Sequence, residues 1–370
     1  MVNLWHFRDG RIPLVTVYFL RSLISMNQRS HVLCRSFLLI SLLQCLSQNV
    51  FADELAKIST AQEAADKLGV GINLGNMLDA PNEGDWGVRF ENDYAAIIRK
   101  AGFQHVRLPV KWSAHASTKA PFRIDPAFVA RVKTVMAVCR KQGLRVVLNI
   151  HHYDEMHVAP GKETDRFLAI WRQLSDLFAS QPETVYFEIL NEPHDNLTTQ
   201  EWNKILPLAL EIIRKKNPQR AVILGGGNWN SPDELIHLKL PAEDQMLIAT
   251  VHYYRPHEFT HQGAEFLGDK APPAGRKFPF NQAERTAIED DFQRIADWAV
   301  KNHRPVYVGE FGCYHMAPGE DRLRWTRTVA GLCSKHGFGS AYWEFCSGFG
   351  AWDPVRREWR TDIRDAILKP

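Results

Sequence analysis

Two glutamates stand in matching settings far apart in the chain, and together they suggest one chemistry. Glu192 lies in VYFEILNEPH, residues 185–194, where Val185, Tyr186, Phe187, Ile189 and Leu190 favour a pleated, half-buried surface. Pro193 has no N–H for a sheet ladder, so the strand ends and leaves Glu192 at its C-terminal tip, beside Asn191 and near His194. A carboxyl group among apolar neighbours and hydrogen-bonding partners can be held protonated near neutral pH and act as a general acid. Taken alone, the stretch reads equally well as an ordinary loop acid. Glu310 repeats the pattern in PVYVGEFGCY, residues 305–314, at the end of Val306, Tyr307 and Val308. Paired carboxylates are what glycosidic bond cleavage needs. One protonates the leaving oxygen; the other attacks or stabilises the anomeric carbon.

The elements that must bring these acids together are legible from residue 53 onward. Strands are expected at 70–74, 105–110, 145–151, 185–190, 221–224, 247–252, 306–309 and 340–343. Helices are expected at 91–101, 126–142, 164–180, 199–216, 282–302, 321–336 and 362–368, with a short turn or helix at 231–237. Eight strands alternating with helices read as an α/β protein, a single-domain (β/α)8 TIM barrel. A doubly wound sheet would also alternate, but no G-x-G-x-x-G turn follows the first strand, and Gly225-Gly226-Gly227 reads as a turn. The long segment 256–281 is the best candidate for a substrate-facing loop.

Polar and aromatic residues at the C-terminal strand ends of such a barrel converge. They are Asn73, Asn76 and Asp79 from the first strand, Arg107 from the second, and His151 and His152 from the third. Asn191 and Glu192 come from the fourth, His252 and Tyr254 from the sixth, Glu310 from the seventh and Trp343 from the eighth. A nucleophilic Glu310 must stay ionised, which Arg107 favours by opposite charge and the Tyr254 hydroxyl by donating to it. Asn191 is an uncharged partner for a sugar 2-hydroxyl, and Trp343 offers a flat face to a sugar ring. Carboxyl groups about 5–5.5 Å apart would make the reaction retaining.

Composition agrees without deciding. The chain has 370 residues, 45% of them hydrophobic, enough for one barrel or two smaller domains. Its 11 tryptophans lean weakly towards a carbohydrate ligand, against simple core packing. The net charge of +3 misleads, because residues 1–52 carry five arginines against Asp9. The remainder is nearly neutral and gives no electrostatic case for nucleic acid or an anionic membrane. From Met26 a short basic region (Arg29, Arg35), an apolar run at 36–46 and the ending Val50-Phe51-Ala52 match a secretory signal peptide cleaved after residue 52. Residues 1–25 precede that unit, so Met26 is a candidate true start; an N-terminal membrane anchor is the alternative. The expected product is a secreted or periplasmic monomer. Of six cysteines, Cys139, Cys313, Cys333 and Cys346 fall in the mature chain and fit no zinc spacing. Cys313 and Cys346 could pair in an oxidising compartment, although small buried hydrophobes are the favoured reading.

The segments GINLGNMLDAPNEGDWG, HVRLPVKWS, NIHHYDE, FEILNEPH, TVHYYRPHEFTHQGAEF, YVGEFG and AYWEFCSGFG resemble glycoside hydrolase family 5, especially its bacterial endo-β-1,4-glucanases, some of which accept mannans. The resemblance covers roughly residues 55–368. It implies a cofactor-free and metal-free barrel acting on a β-linked polysaccharide, with Glu192 as acid/base and Glu310 as nucleophile. It also implies supporting roles for Arg107, Asn191, His252, Tyr254, His151 and Trp343, and sugar contacts from Asn76, Asp79, His152 and His261. Phe266 stands where close relatives often carry Trp, and Asp79 where they often carry Glu, which bears on substrate preference. The runner-up is an endo-β-1,4-mannanase or dual enzyme on the same site. Two rival classes are a metal-dependent hydrolase using His151, His152 and His252, and a non-catalytic carbohydrate-binding barrel. The first lacks an H-x-H pair on strand one; the second would be expected to have lost a glutamate, and both are present.

Overall fold

The computed structural model describes residues 60–279 and 281–370. The expected targeting segment at 1–52 lies outside them. Eight parallel strands close into a barrel in sequence order: β1 (Val70–Asn73), β2 (His105–Leu108), β3 (Arg145–Asn149), β4 (Val185–Glu188), β5 (Val222–Gly225), β6 (Leu247–Tyr253), β7 (Val306–Phe311) and β8 (Gly339–Tyr342). Preceding β1 is α1 (Ala61–Leu68). Between and after the strands run α2 (Tyr94–Ala101), α3 (Pro126–Lys141), α4 (Pro160–Leu177), α5 (Thr199–Lys216), α6 (Gln282–Asn302), α7 (Gly319–His336) and α8 (Thr361–Leu368). The helices start where local chemistry allows. Asp125 caps α3 with Pro126 at its first position, while Thr198 caps α5 and Asn281 caps α6 through their side-chain oxygens.

Strand alternation divides the core in two. On β4, Tyr186 and Glu188 point into the barrel, while Val185 and Phe187 join the shell beneath the helices. The lower interior is filled by Val147, Tyr186, Ile223, Ile248, Tyr307 and Ala341, and α1 packs on this cluster through Ala61, Ala64, Ala65 and Leu68. The Tyr186 hydroxyl donates to Ala64 O (2.9 Å), and His105 Nδ1 meets Leu68 O at 2.9 Å. This helix was not expected from the sequence. Its signature is a Thr60–Glu63 capping box. The small antiparallel pair β9 (Trp352–Asp353) and β10 (Glu358–Trp359) was also not expected.

β2, β3 and β4 end two residues earlier than the apolar pattern suggests. Beyond those points the chain stays buried but leaves the ladder, as in His151 N–H to Val110 O (2.8 Å) and Asn191 N–H to Ile150 O (2.9 Å). Four fully buried tryptophans brace the exits of β3, β4, β5 and β6. The indole N–H of Trp112 donates to Asn149 O, that of Trp171 to Ile189 O, that of Trp202 to Gly225 O, and that of Trp325 to Arg255 O, at 2.9–3.1 Å. Each couples a large apolar burial to a satisfied polar group at the end of a strand. The tryptophan surplus is thus partly core packing. The four described cysteines are all free and buried, so Cys313 and Cys346 do not pair.

Candidate active site

Arg107 is the hub of the upper barrel. Its five N–H donors make five bonds. Nε and Nη2 clamp both oxygens of Glu188 (2.6 and 2.7 Å), and Nη1 reaches Glu310 Oε1 (2.6 Å) and Asn73 Oδ1 (2.9 Å). Nη2 also donates to Asn191 Oδ1 (2.7 Å). Only a planar fork satisfies this set, so lysine would not substitute. Asn73 in turn donates to Gly309 O at 3.0 Å, tying β1 to β7. Because Arg107 occupies the oxygen of Asn191, the NH2 is that amide's remaining hydrogen-bonding group.

Glu310 reaches the interior through a bulge. The β6–β7 register runs Val251 to Val308 and then His252 to Glu310, so Gly309 is an extra residue. A side chain at 309 would meet Thr250 Oγ1 at 2.9 Å and His252 Nε2 at 3.0 Å, so the close approach needs glycine. Glu310 Oε2 accepts from the Tyr254 hydroxyl (2.9 Å) and lies 3.6 Å from His252 Nδ1. Glu192 adopts φ 45°, a costly conformation for a non-glycine residue that swings its side chain off the strand line. Its Oε1 lies 2.6 Å from His252 Nδ1. Asn230 Nδ2 faces His252 Nε2 (3.4 Å), so the imidazole carries its proton on Nδ1 and donates to Glu192. Carboxylate oxygens of Glu192 and Glu310 lie within 4.8 Å of one another.

Glu310 is buried and Glu192 half-buried, and the two differ in their cation. Burial pushes Glu192 up to about 7, opposed by the more distant charges of Arg107 and His194. Burial also raises Glu310, opposed by His252, by Arg107 and by the Tyr254 hydrogen bond. The sequence reading gave Arg107 and Tyr254 the task of holding Glu310 down; they act in that sense, but burial outweighs them. Arg107 touches Glu310 and not Glu192, so the first charge on the pair falls on Glu310. Burial lowers His252 to about 4 and raises Tyr254 well above its ordinary range, so both remain neutral donors.

The remaining candidates surround this centre. Trp343 stacks flat on His151 at 5.7 Å and 3°. His151 Nδ1 accepts from Asn149 Nδ2 (3.0 Å), and burial keeps the ring neutral. Asp79 is fully buried. Both of its oxygens accept backbone N–H bonds, from Met77 (2.8 Å) and from Asn76 (3.0 Å), and Asn76 sits at φ 63°. Asp79 thus shapes the turn that presents Asn76, and burial raises its own carboxyl to about 7. His152 lies 3.7 Å from Asp79 and meets the edge of exposed Trp86 at 5.3 Å. In the 256–281 loop, His261 packs against Tyr254 (4.9 Å) and Phe349 (5.4 Å), while Phe266 is 64% exposed beside His261 (6.2 Å).

Sequence reasoning missed four contributors. Glu188 was visible as the lone acid inside an apolar strand. Asn230, Trp86 and Trp229 carried no spacing signal. Trp229 is half exposed, and its ring stacks on His194 (4.9 Å, 10°), which stacks on buried His157 (3.9 Å, 24°). It stands on the Glu192 side of the centre, with Trp229 N–H donating to Pro193 O (3.1 Å).

Two His and carboxylate groups have metal-ligand proximity among the described residues: Asp79, His151 and His152, and Glu192, His252 and Glu310. The oxygens of Asp79 and Glu310 are already engaged by N–H and O–H donors, which fits a hydrogen-bonded centre better than a cation site.

Another buried acid makes its own prediction. Glu344 Oε1 accepts N–H bonds from Ser347 (2.8 Å) and Phe349 (3.2 Å), Oε2 has no partner, and burial raises the carboxyl to about 8. A carboxyl whose folded value is raised stabilises the protein below its ordinary range near 4.5, and that contribution is lost as pH rises towards 8. Glu344→Gln should therefore flatten the fall in unfolding free energy between pH 5 and 8, by at most about 1.4 kcal/mol per pH unit. An unchanged slope in calorimetry would refute the assignment.

The chain matches the cellulase family, glycosyl hydrolase family 5, over residues 66–348. It is 33% identical over 314 residues to Endoglucanase H of Acetivibrio thermocellus, covering 83% of this chain but only 33% of that longer protein. It is 30% identical over 280 residues to Cellodextrinase A of Ruminococcus flavefaciens, covering 72% of this chain and 82% of the relative. Crystal structures of Thermotoga maritima Cel5A in complex with mannotriose and with cellobiose each superpose with a TM-score of 0.81 at 44% identity, covering 83% of this chain and 99% of theirs. A barrel with two acids at the ends of β4 and β7, matched over most of its length, identifies the chain as a member of glycoside hydrolase family 5 and an enzyme of the endoglucanase, or cellulase, type.

Proposed function

We propose that the enzyme cleaves β-1,4-glucosidic bonds within glucan chains with retention of configuration, Glu192 serving as acid/base and Glu310 as nucleophile. The observation that carries this reading is the asymmetric pair: carboxylate oxygens within 4.8 Å, with Arg107 on one acid only. That separation suits direct attack and is too small for the 6.5–9.5 Å gap that an inverting enzyme leaves for water. Glu310 attacks the anomeric carbon while Glu192 gives its proton to the leaving oxygen. Glu192 then takes a proton from water, which attacks the same carbon and releases Glu310. The NH2 of Asn191 is the donor for the sugar 2-hydroxyl, and the Trp343 face lies under the ring at the scissile bond. Exposed Trp86, against His152, and Trp229, against His194, add flat faces near the centre beyond Trp343, which supports binding several sugar rings and hence an internal bond as the target.

Mannan is the second reading, favoured by the mannotriose complex of the Thermotoga protein. The test is reducing-end release from mixed-linkage β-glucan and unbranched mannan at matched mass, with and without EDTA. Release mainly from β-glucan, indifferent to EDTA, is expected. Release mainly from mannan would keep the two-glutamate mechanism and reassign the substrate, with Asp79 and Phe266 as the first residues to exchange. Loss of activity on chelation would revive a metal-dependent mechanism.

A further inference from the structure

Glu188 is fully buried, as is Arg107, and faces the barrel interior one layer below the acids. It takes the stronger share of the guanidinium. Two parallel bonds run from Arg107 to Glu188, and one runs to Glu310. We propose that Glu188 is a positioning residue for the reaction: it fixes the Arg107 fork, and through it Glu310 and Asn191, while its negative charge offsets the arginine so that Glu310 stays anionic yet basic enough to attack. The inference rests on the two-glutamate reading above.

The geometry leaves little else for Glu188 to do. A carboxylate inside a barrel is expensive unless paired, and an apolar residue with a differently held Arg107 would cost less. Both of its oxygens are spent on Arg107, so it cannot reach substrate. Arg107 has no spare N–H, so any tilt of its fork disturbs Glu310, Asn73 and Asn191 together. The charge count points the same way. Arg107 and Glu310 alone would be neutral as a pair, and a carboxylate fully matched by a guanidinium is a poor nucleophile. With Glu188 the trio carries one net negative charge, which resides on the reacting carboxylate. The titratable groups around this layer are His105 and Arg107 from β2, His151 beyond β3, Glu192 beyond β4, His252 from β6 with Tyr254 just beyond it, and Tyr307 and Glu310 from β7. The negative charge of Glu188 acts in the raising sense on Glu192, His252 and Tyr307.

The experiment compares kcat/KM against pH for wild type, Glu188→Gln and Glu188→Asp on an aryl β-cellobioside, with folding checked by circular dichroism. The acid limb follows ionisation of Glu310, and the alkaline limb follows loss of the Glu192 proton. Removing a negative charge lowers both, so Glu188→Gln should move the whole bell to lower pH by about one unit and lower its height by about 100-fold. Glu188→Asp keeps the charge but shortens the reach. It should leave both limbs in place and lose about tenfold in kcat with KM nearly unchanged. A folded Glu188→Gln with an unmoved bell would overturn the proposal. So would a Glu188→Asp within twofold of wild type, and that arm decides even if the glutamine variant fails to fold. Wild type inactive on every β-1,4-glycoside would instead remove the reading on which the inference stands.

Discussion

Replacing Glu310 with alanine should lower turnover of β-glucan by at least about 10⁴-fold, or about 5 kcal/mol of barrier. The covalent step that the proposed mechanism assigns to Glu310 is lost. The fold should survive, because Arg107 keeps its bidentate bond to Glu188 and its amide partners when Glu310 is truncated. The variant should therefore melt close to wild type. Azide, as a small anion, should enter the vacated space and attack from the face that Glu310 used. With an activated aryl β-glycoside it should restore turnover and yield the α-glycosyl azide. Activity within tenfold of wild type, or a β-glycosyl azide as the rescued product, would refute the nucleophile assignment.

Glu192→Ala should separate substrates by their leaving groups. Natural polymers need a proton on the departing oxygen, and the variant should cleave them about 10³-fold more slowly. A dinitrophenyl cellobioside needs none, and its first step should slow by less than about tenfold. Azide should now give the β-glycosyl azide, because Glu310 has already formed the covalent intermediate on the other face. The pH profile adds an independent check. Glu192 is raised to about 7 and, as the proposed acid, would work in its protonated form, so wild-type kcat/KM on polymer should hold below that value and fall as pH rises through it. The alkaline limb should be absent in the variant on the activated substrate. Equal losses on both substrates, or a retained alkaline limb, would move the acid role elsewhere.

The two predictions depend on different kinds of information. That the chain leaves the sheet before Pro193 could be read locally from the missing N–H, although the β4 ladder already ends at Glu188 and Glu192 lies four residues beyond it. The strand and helix order was equally open, since hydrophobic period and capping residues depend only on neighbours in sequence. Glu188 shows where local reading stops. It is plain in the sequence as an acid among apolar residues, yet a reading that looks for chemistry at strand tips passes over it. Its role depends on Arg107, 81 positions away. Tryptophans show the same limit. Nothing local distinguishes Trp171, whose indole N–H holds a strand end, from Trp229, whose face meets solvent.

Glu310 marks the boundary most sharply. Strand alternation carried on from Tyr307, which faces the interior, would point residue 309 inward and residue 310 out towards the helices. The bulge at Gly309 reverses this and sets Glu310 against His252 and Arg107. A bulge is a mismatch between two strands, so it exists only in the paired sheet. The sequence alone determined the order of strands and helices and put the two acids and several polar neighbours near strand ends, because these follow from propensity, period and chain termination. The tertiary structure alone decided which way Glu310 points, that Glu188 shares the arginine with it and that burial raises both acids, because those depend on register, burial and charge across strands.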